Sequence, residues 1–118
     1  NARFQLPEAS LGVFVTGGIT ALLPAIAGLA RAKAMMLLGE EFSATEAHAW
    51  GVIWKVVPAD ALLDAASATA LRLARLQPEV SRGFKKVLNT VGAAHFEQAI
   101  ALESALQRDL MHWGEHKQ

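Results

Sequence analysis

The sequence predicts an α/β chain, mostly helical with short strands, whose second half is helical throughout. Three observations carry this reading. Val52-Ile53-Trp54-Lys55-Val56-Val57 is rich in β-branched residues and ends at Pro58, as a strand does. Ser43-Ala44-Thr45-Glu46 has the capping-box spacing, in which the Ser hydroxyl accepts from the Glu46 amide and the Glu carboxylate reaches back. Beyond Pro58, three successive sets of apolar residues recur at helical spacing.

Taken in order, Ala2 to Leu6 reads as a short strand stopped by Pro7, and Pro7-Glu8 opens a loop. Thr16-Gly17-Gly18 is a flexible turn that starts a helix with Ile19, Leu22 and Leu23 facing inward. Pro24 is expected to kink or restart that helix, because it has no donor for the bond back to Thr20. Gly28 breaks the helix again, Ala30 to Leu38 forms the next one, and Gly39 closes it. The capping box then starts a helix at Ala44 that stops at Gly51. The three later stripes are Leu62, Leu63, Ala66, Ala70 and Leu73; then Val80, Phe84, Val87, Leu88 and Val91; then Phe96, Ala99, Ile100, Leu106, Leu110 and Trp113. Such faces need partners. The change of character at Pro58 divides the chain into residues 1–58 and 59–118.

Composition narrows the function classes. Eleven basic and eleven acidic side chains cancel, so no chain-wide positive field exists to hold a nucleic-acid backbone. With no cysteine, disulfides, thiolate metal sites and thiol nucleophiles are all excluded, which fits a reducing compartment and makes the cytoplasm the expected location. Residues 9–30 carry no charge and approach the length of a bilayer span, but Gly12, Gly17, Gly18, Pro24 and Gly28 interrupt them, so a buried soluble segment is expected. The N-terminal residues lack the pattern of a signal peptide, and the missing initiator Met points to further sequence upstream.

The segment Leu6-Pro7-Glu8-Ala9-Ser10-Leu11-Gly12, followed by Gly17-Gly18-Ile19-Thr20 and Leu23, resembles the crotonase family of enoyl-CoA hydratases and isomerases. A second block, Leu37-Leu38-Gly39 through Ala44-Thr45-Glu46-Ala47, with Gly51-Val52 and Val56-Val57-Pro58, matches that family's succession at its spacing. The chain departs from it at Val15 and Thr16, where Pro and Gly are common, and at Ile19, where a further glycine is usual. The resemblance implies the C-terminal part of a crotonase fold: residues 1–58 as the end of the catalytic core and 59–118 as a helical oligomerisation region that builds trimers or dimers of trimers.

It also implies an acyl-CoA thioester as substrate, coenzyme A arriving with it and no separate cofactor. The enolate-like charge would be held by two backbone amides while carboxylates move protons. Glu8 is the one matched catalytic position, half of a pair whose other carboxylate, with both amides, belongs to an upstream half; alone, it reads as a solvated loop glutamate. Gly17 and Gly18 are candidate substrate-binding residues: they allow close backbone approach to a ligand beside free helix amides, or they serve only as a tight turn.

His112 and His116 share a helix face beside Glu115, but without a third convergent ligand no metal site is expected. Arg82, Lys85 and Lys86 form a small basic patch that either meets CoA phosphates or is a solvated face. His48 and His95 have no motif around them, and Trp50, Trp54 and Trp113 suit core or interface positions. Hydration, isomerisation, hydrolysis, dehalogenation and decarboxylation all remain open on such a scaffold. A non-catalytic helical self-association module is the alternative.

Overall fold

In the computed structural model, residues 1–116 are described, the last four of them by backbone only. Strand β1 (Arg3–Phe4) leads through a 3-10 turn (Glu8–Leu11) to helices α1 (Ile19–Ala27) and α2 (Leu29–Leu38). Strand β2 (Phe42–Ser43) and helix α3 (Ala44–Ala49) follow. Helices α4 (Leu62–Ala74), α5 (Pro78–Gly92) and α6 (Phe96–His116) complete the chain.

β1 and β2 pair antiparallel, with Arg3 opposite Ser43 and Phe4 opposite Phe42. So short a ladder is weak alone. It is held by a stack of Phe4 on Phe42 at 5.4 Å between ring centroids, and the Trp50 ring lies tilted against Phe42 at 5.3 Å. Leu23, Ala32, Met35, Phe42 and Ala47 form the buried core, so α1, α2, β2 and α3 each contribute to it. Ser43 caps α3 through the predicted box, accepting from the Glu46 amide at 3.1 Å while Glu46 accepts from the Ser43 amide.

Two expectations are corrected. Val52–Val57 is not a strand: Val52 and Ile53 pack against the core, and Trp54 is exposed. β propensity is realised only beside a partner that supplies the ladder, and among the described residues none runs alongside this segment. Of the two outcomes expected at Pro24, a kink or a restart, the restart does not occur: α1 runs through it from Ile19 to Ala27. The proline forgoes one bond to the Thr20 carbonyl, but its own carbonyl accepts from the Gly28 amide at 2.9 Å and its neighbour Leu23 is buried in the core.

The helices after residue 58 behave differently from one another. α6 packs back onto α1, with Ala99 and Glu103 buried, whereas α4 and α5 bury no residue. The α5 stripe forms as predicted but lies open, with Phe84 at 65% and Val91 at 73% exposure. These projecting helices raise the radius of gyration to 17.7 Å, against about 13 Å for a compact domain of this length.

Candidate active site

Glu8 opens the 3-10 turn that follows β1. Its backbone carbonyl accepts from the Val13 amide at 3.1 Å, and the turn closes at Gly12, whose positive φ of 74° suits a residue without a Cβ. From behind, the turn is fixed by Gly39 at the end of α2. The Gln5 side-chain amide donates to the Gly39 carbonyl at 2.9 Å, and a Cβ on Gly39 would approach the Leu6 carbonyl to 3.2 Å. A glycine there lets α2 close on the chain just before Glu8.

The Glu8 side chain faces a cavity of about 290 Å³. Val13, Phe14 and Val15 form one wall, Thr20 and Pro24 of α1 a second, and Leu29, Ala32, Met36 and Leu37 of α2 a third. Lys33, on the same face of α2, is the one cationic residue lining it. Glu8 Oε2 is buried there and accepts no hydrogen bond from the protein, alone among the buried side-chain polar atoms of the described residues. Leaving a carboxylate oxygen unpaired in an apolar setting is costly, and such atoms concentrate where a ligand or a proton is handled. A larger groove of about 690 Å³ lies on the opposite face of α2, beside Arg31, whose guanidinium sits 5.1 Å from the Trp50 ring; it does not include Glu8.

Gly17 and Gly18 do not line the Glu8 cavity. Both have positive φ, 77° and 80°. The Gly18 amide donates to Glu103 Oε1 at 2.8 Å, and the Thr20 amide and hydroxyl donate to Glu103 Oε2 at 2.9 and 2.6 Å. At Gly18 the position of a Cβ is taken by the Phe96 ring, whereas at Gly17 it is open. The two amides at the start of α1 are therefore occupied by an internal carboxylate, and Gly18 meets a packing demand.

Glu103 is the residue the sequence reading missed. It is 1% exposed, and α6 turns it inward together with Phe96 and Ala99, while the predicted stripe members Ile100 and Leu106 are more than a third exposed. Burial pushes its carboxyl up, but the Thr20 hydroxyl and the Thr20 and Gly18 amides outweigh that and hold it below its ordinary value. One turn on, Gln107 Oε1 accepts from the Phe14 amide at 2.7 Å. The detectable signal was spacing: 96, 99, 103 and 107 recur as one helical face, with two polar residues on it.

No group of three His, Cys, Asp or Glu that could hold a metal occurs among the described residues. The side chains of Trp113, Glu115 and His116 lie outside them. Arg82, Lys85, Lys86, His48 and His95 are all exposed. No helix of the described residues is long and apolar enough to cross a membrane.

With this geometry in hand, the comparisons with known proteins decide the family. The family model for enoyl-CoA hydratase/isomerase matches residues 1–118. The chain belongs to that family. It is 38% identical over 109 residues to a 1,2-epoxyphenylacetyl-CoA isomerase of Escherichia coli K12, covering 92% of this chain and 41% of the relative. A 2,3-dehydroadipyl-CoA hydratase of the same organism is 33% identical over 109 residues, covering 92% and 40%. Among solved structures, an enoyl-CoA hydratase from Mycobacterium avium subsp. paratuberculosis superposes with a TM-score of 0.90 at 32% identity, over 94% of this chain and 45% of that one. The fold is thus part of the crotonase fold, and the chain spans about two fifths of the length of these curated relatives.

Proposed function

We propose that this chain contributes the Glu8 carboxylate and an apolar acyl pocket to hydratase or isomerase chemistry on an acyl-CoA thioester. The observation that carries the reading is the buried, partnerless Glu8 Oε2 facing an apolar cavity. An oxygen so disposed accepts a proton from the substrate's α-carbon or from water attacking the double bond. The charge that develops on the thioester oxygen is held by backbone amides. Hydration requires one group acting on water and another delivering a proton to carbon, so Glu8 is one of two carboxylates. The second carboxylate and the oxyanion amides are supplied from outside this chain, which makes the isolated 118 residues an incomplete catalytic unit.

Coenzyme A enters as part of the substrate and no further cofactor is used. Gly17 and Gly18 serve substrate binding indirectly, by allowing the turn that brings Thr20 to the cavity wall. Residues 1–58 act as the end of the catalytic core, 59–118 as the helical region through which copies associate into trimers or dimers of trimers, and the protein works in the cytoplasm.

The test is turnover of crotonyl-CoA by the full-length protein. Glu8→Gln is expected to lower kcat by about a hundredfold or more with little change in KM. Undiminished turnover by that variant would remove Glu8 from the chemistry. Turnover by the isolated chain would refute its incompleteness.

A second reading, a non-catalytic self-association module, is favoured by the open apolar faces of α4 and α5. Absence of any thioester turnover by the full-length protein, with self-association retained, would favour it over the first.

A further inference from the structure

α6 supplies no residue to the cavity beside Glu8, yet it holds the cavity wall at both ends. At one end the Phe14 amide donates to Gln107 at 2.7 Å; at the other the Gly18 amide and the Thr20 amide and hydroxyl converge on Glu103. Phe14, Val15 and Thr20, all within the stretch so held, line the cavity. Glu103 and Gln107 are four residues apart and so project from one face of α6. In place of Glu103, a neutral side chain offering a single acceptor oxygen would leave at least one of the Gly18 and Thr20 donors unsatisfied, which costs far more in a buried site than at a surface. Because the Thr20 hydroxyl proton is committed to Glu103, it is not available to Glu8 or to a ligand.

We propose that Glu103, with Gln107, is a positioning residue that sets the shape of the acyl pocket beside Glu8, and through it the preference for acyl-chain length. This rests on the reading of the cavity as an acyl site. Glu103 touches neither substrate nor reacting atoms; it acts through Phe14, Val15 and Thr20. A wall held on both sides admits chains that fit it, whereas a wall released on one side loses discrimination and presents Glu8 less accurately.

The experiment compares crotonyl-CoA with decenoyl-CoA as probes on the full-length protein, together with hydrogen exchange of residues 14–20. Glu103→Gln, with helicity and oligomeric size unchanged, is expected to alter the ratio of the two kcat/KM values by about threefold to a hundredfold. The Gly18 and Thr20 amides should exchange faster, and Glu103→Asp, which keeps the charge on a shorter stem, should fall between the two. A ratio within about twofold of wild type in a folded Glu103→Gln protein, or unchanged exchange, overturns the proposal. If Glu103→Gln does not fold, Gln107→Leu carries the test, since it removes only the Phe14 bond: a ratio altered by about threefold or more supports the proposal, and a ratio within about twofold of wild type overturns it. Failure of the acyl-site reading has a different signature, no turnover by wild type or none lost in Glu8→Gln, and exchange at Gly18 and Thr20 then decides the clamp alone.

Discussion

Thr20 on α1 and Glu103 on α6, 83 residues apart, share two hydrogen bonds through one carboxylate oxygen, from the Thr20 amide at 2.9 Å and its hydroxyl at 2.6 Å. Together with the bond from Gly18 to the other oxygen, this relationship joins the last helix to the core. It lets a residue far along the sequence govern the segment that walls the Glu8 cavity.

The same cluster makes stability depend on acidity. Three donors hold the Glu103 carboxyl below its ordinary value of 4.5 in the folded chain, against the opposing effect of burial. The unfolded chain therefore takes up this proton at a higher pH than the folded one. The resulting stability is complete above the unfolded value, and it is lost as pH falls through the lower folded value. Glu103→Gln should lower the urea midpoint at neutral pH, and the gap to wild type should narrow as the solution is acidified below 4.5. A gap that stays constant on acidification would show that Glu103 holds no depressed carboxyl.

Gly17 and Gly18 have nearly the same backbone conformation and different surroundings, so they separate strain from packing. Gly17→Ala meets only the left-handed penalty, about 1 kcal/mol. Gly18→Ala adds collision with the Phe96 ring, for a total of about 2 to 4 kcal/mol. Urea unfolding of the two variants checks the order. Equal losses would mean that Phe96 moves aside freely.

Ser43 closes the link between β2 and α3 by local chemistry alone. Ser43→Ala removes the acceptor for the Glu46 amide and should cost about 1 kcal/mol, read from the thermal midpoint. Thr45→Ala, one residue on and exposed, is the control expected to have no such effect.

What could be read from the sequence divides along the same line between local and distant causes. The capping box, the Gly28 break, the Gly39 closure and the α5 stripe are each decided within a few residues, and each forms as read. Val52–Val57 depends on a neighbouring strand, which its own residues cannot specify, and it packs as an irregular segment. Pro24 is carried through α1 because Leu23 is buried in tertiary contacts, which outweigh a single forgone bond. Glu103 escaped because a search for apolar periodicity discards polar residues, even those standing on the inward face. The family was legible from two motif blocks, whereas the bonds from Gly18 and Thr20 to Glu103 join residues too far apart in sequence for local pattern to reveal them.

The face of α5 supplies the last prediction. Val80, Phe84, Val87, Leu88 and Val91 form one stripe, and all five are 46% to 73% exposed. Covering what is still exposed of each such side chain is worth about 1 to 2 kcal/mol, so several together favour association. Phe84→Asp sets a charge in the middle of the stripe without disturbing any buried contact of the chain itself, since α5 buries nothing. Light scattering should show an oligomer for the wild-type protein and a smaller species for Phe84→Asp, with helical circular dichroism retained. An unchanged mass in the variant would mean that copies meet through another surface, and a monomeric wild type would refute self-association.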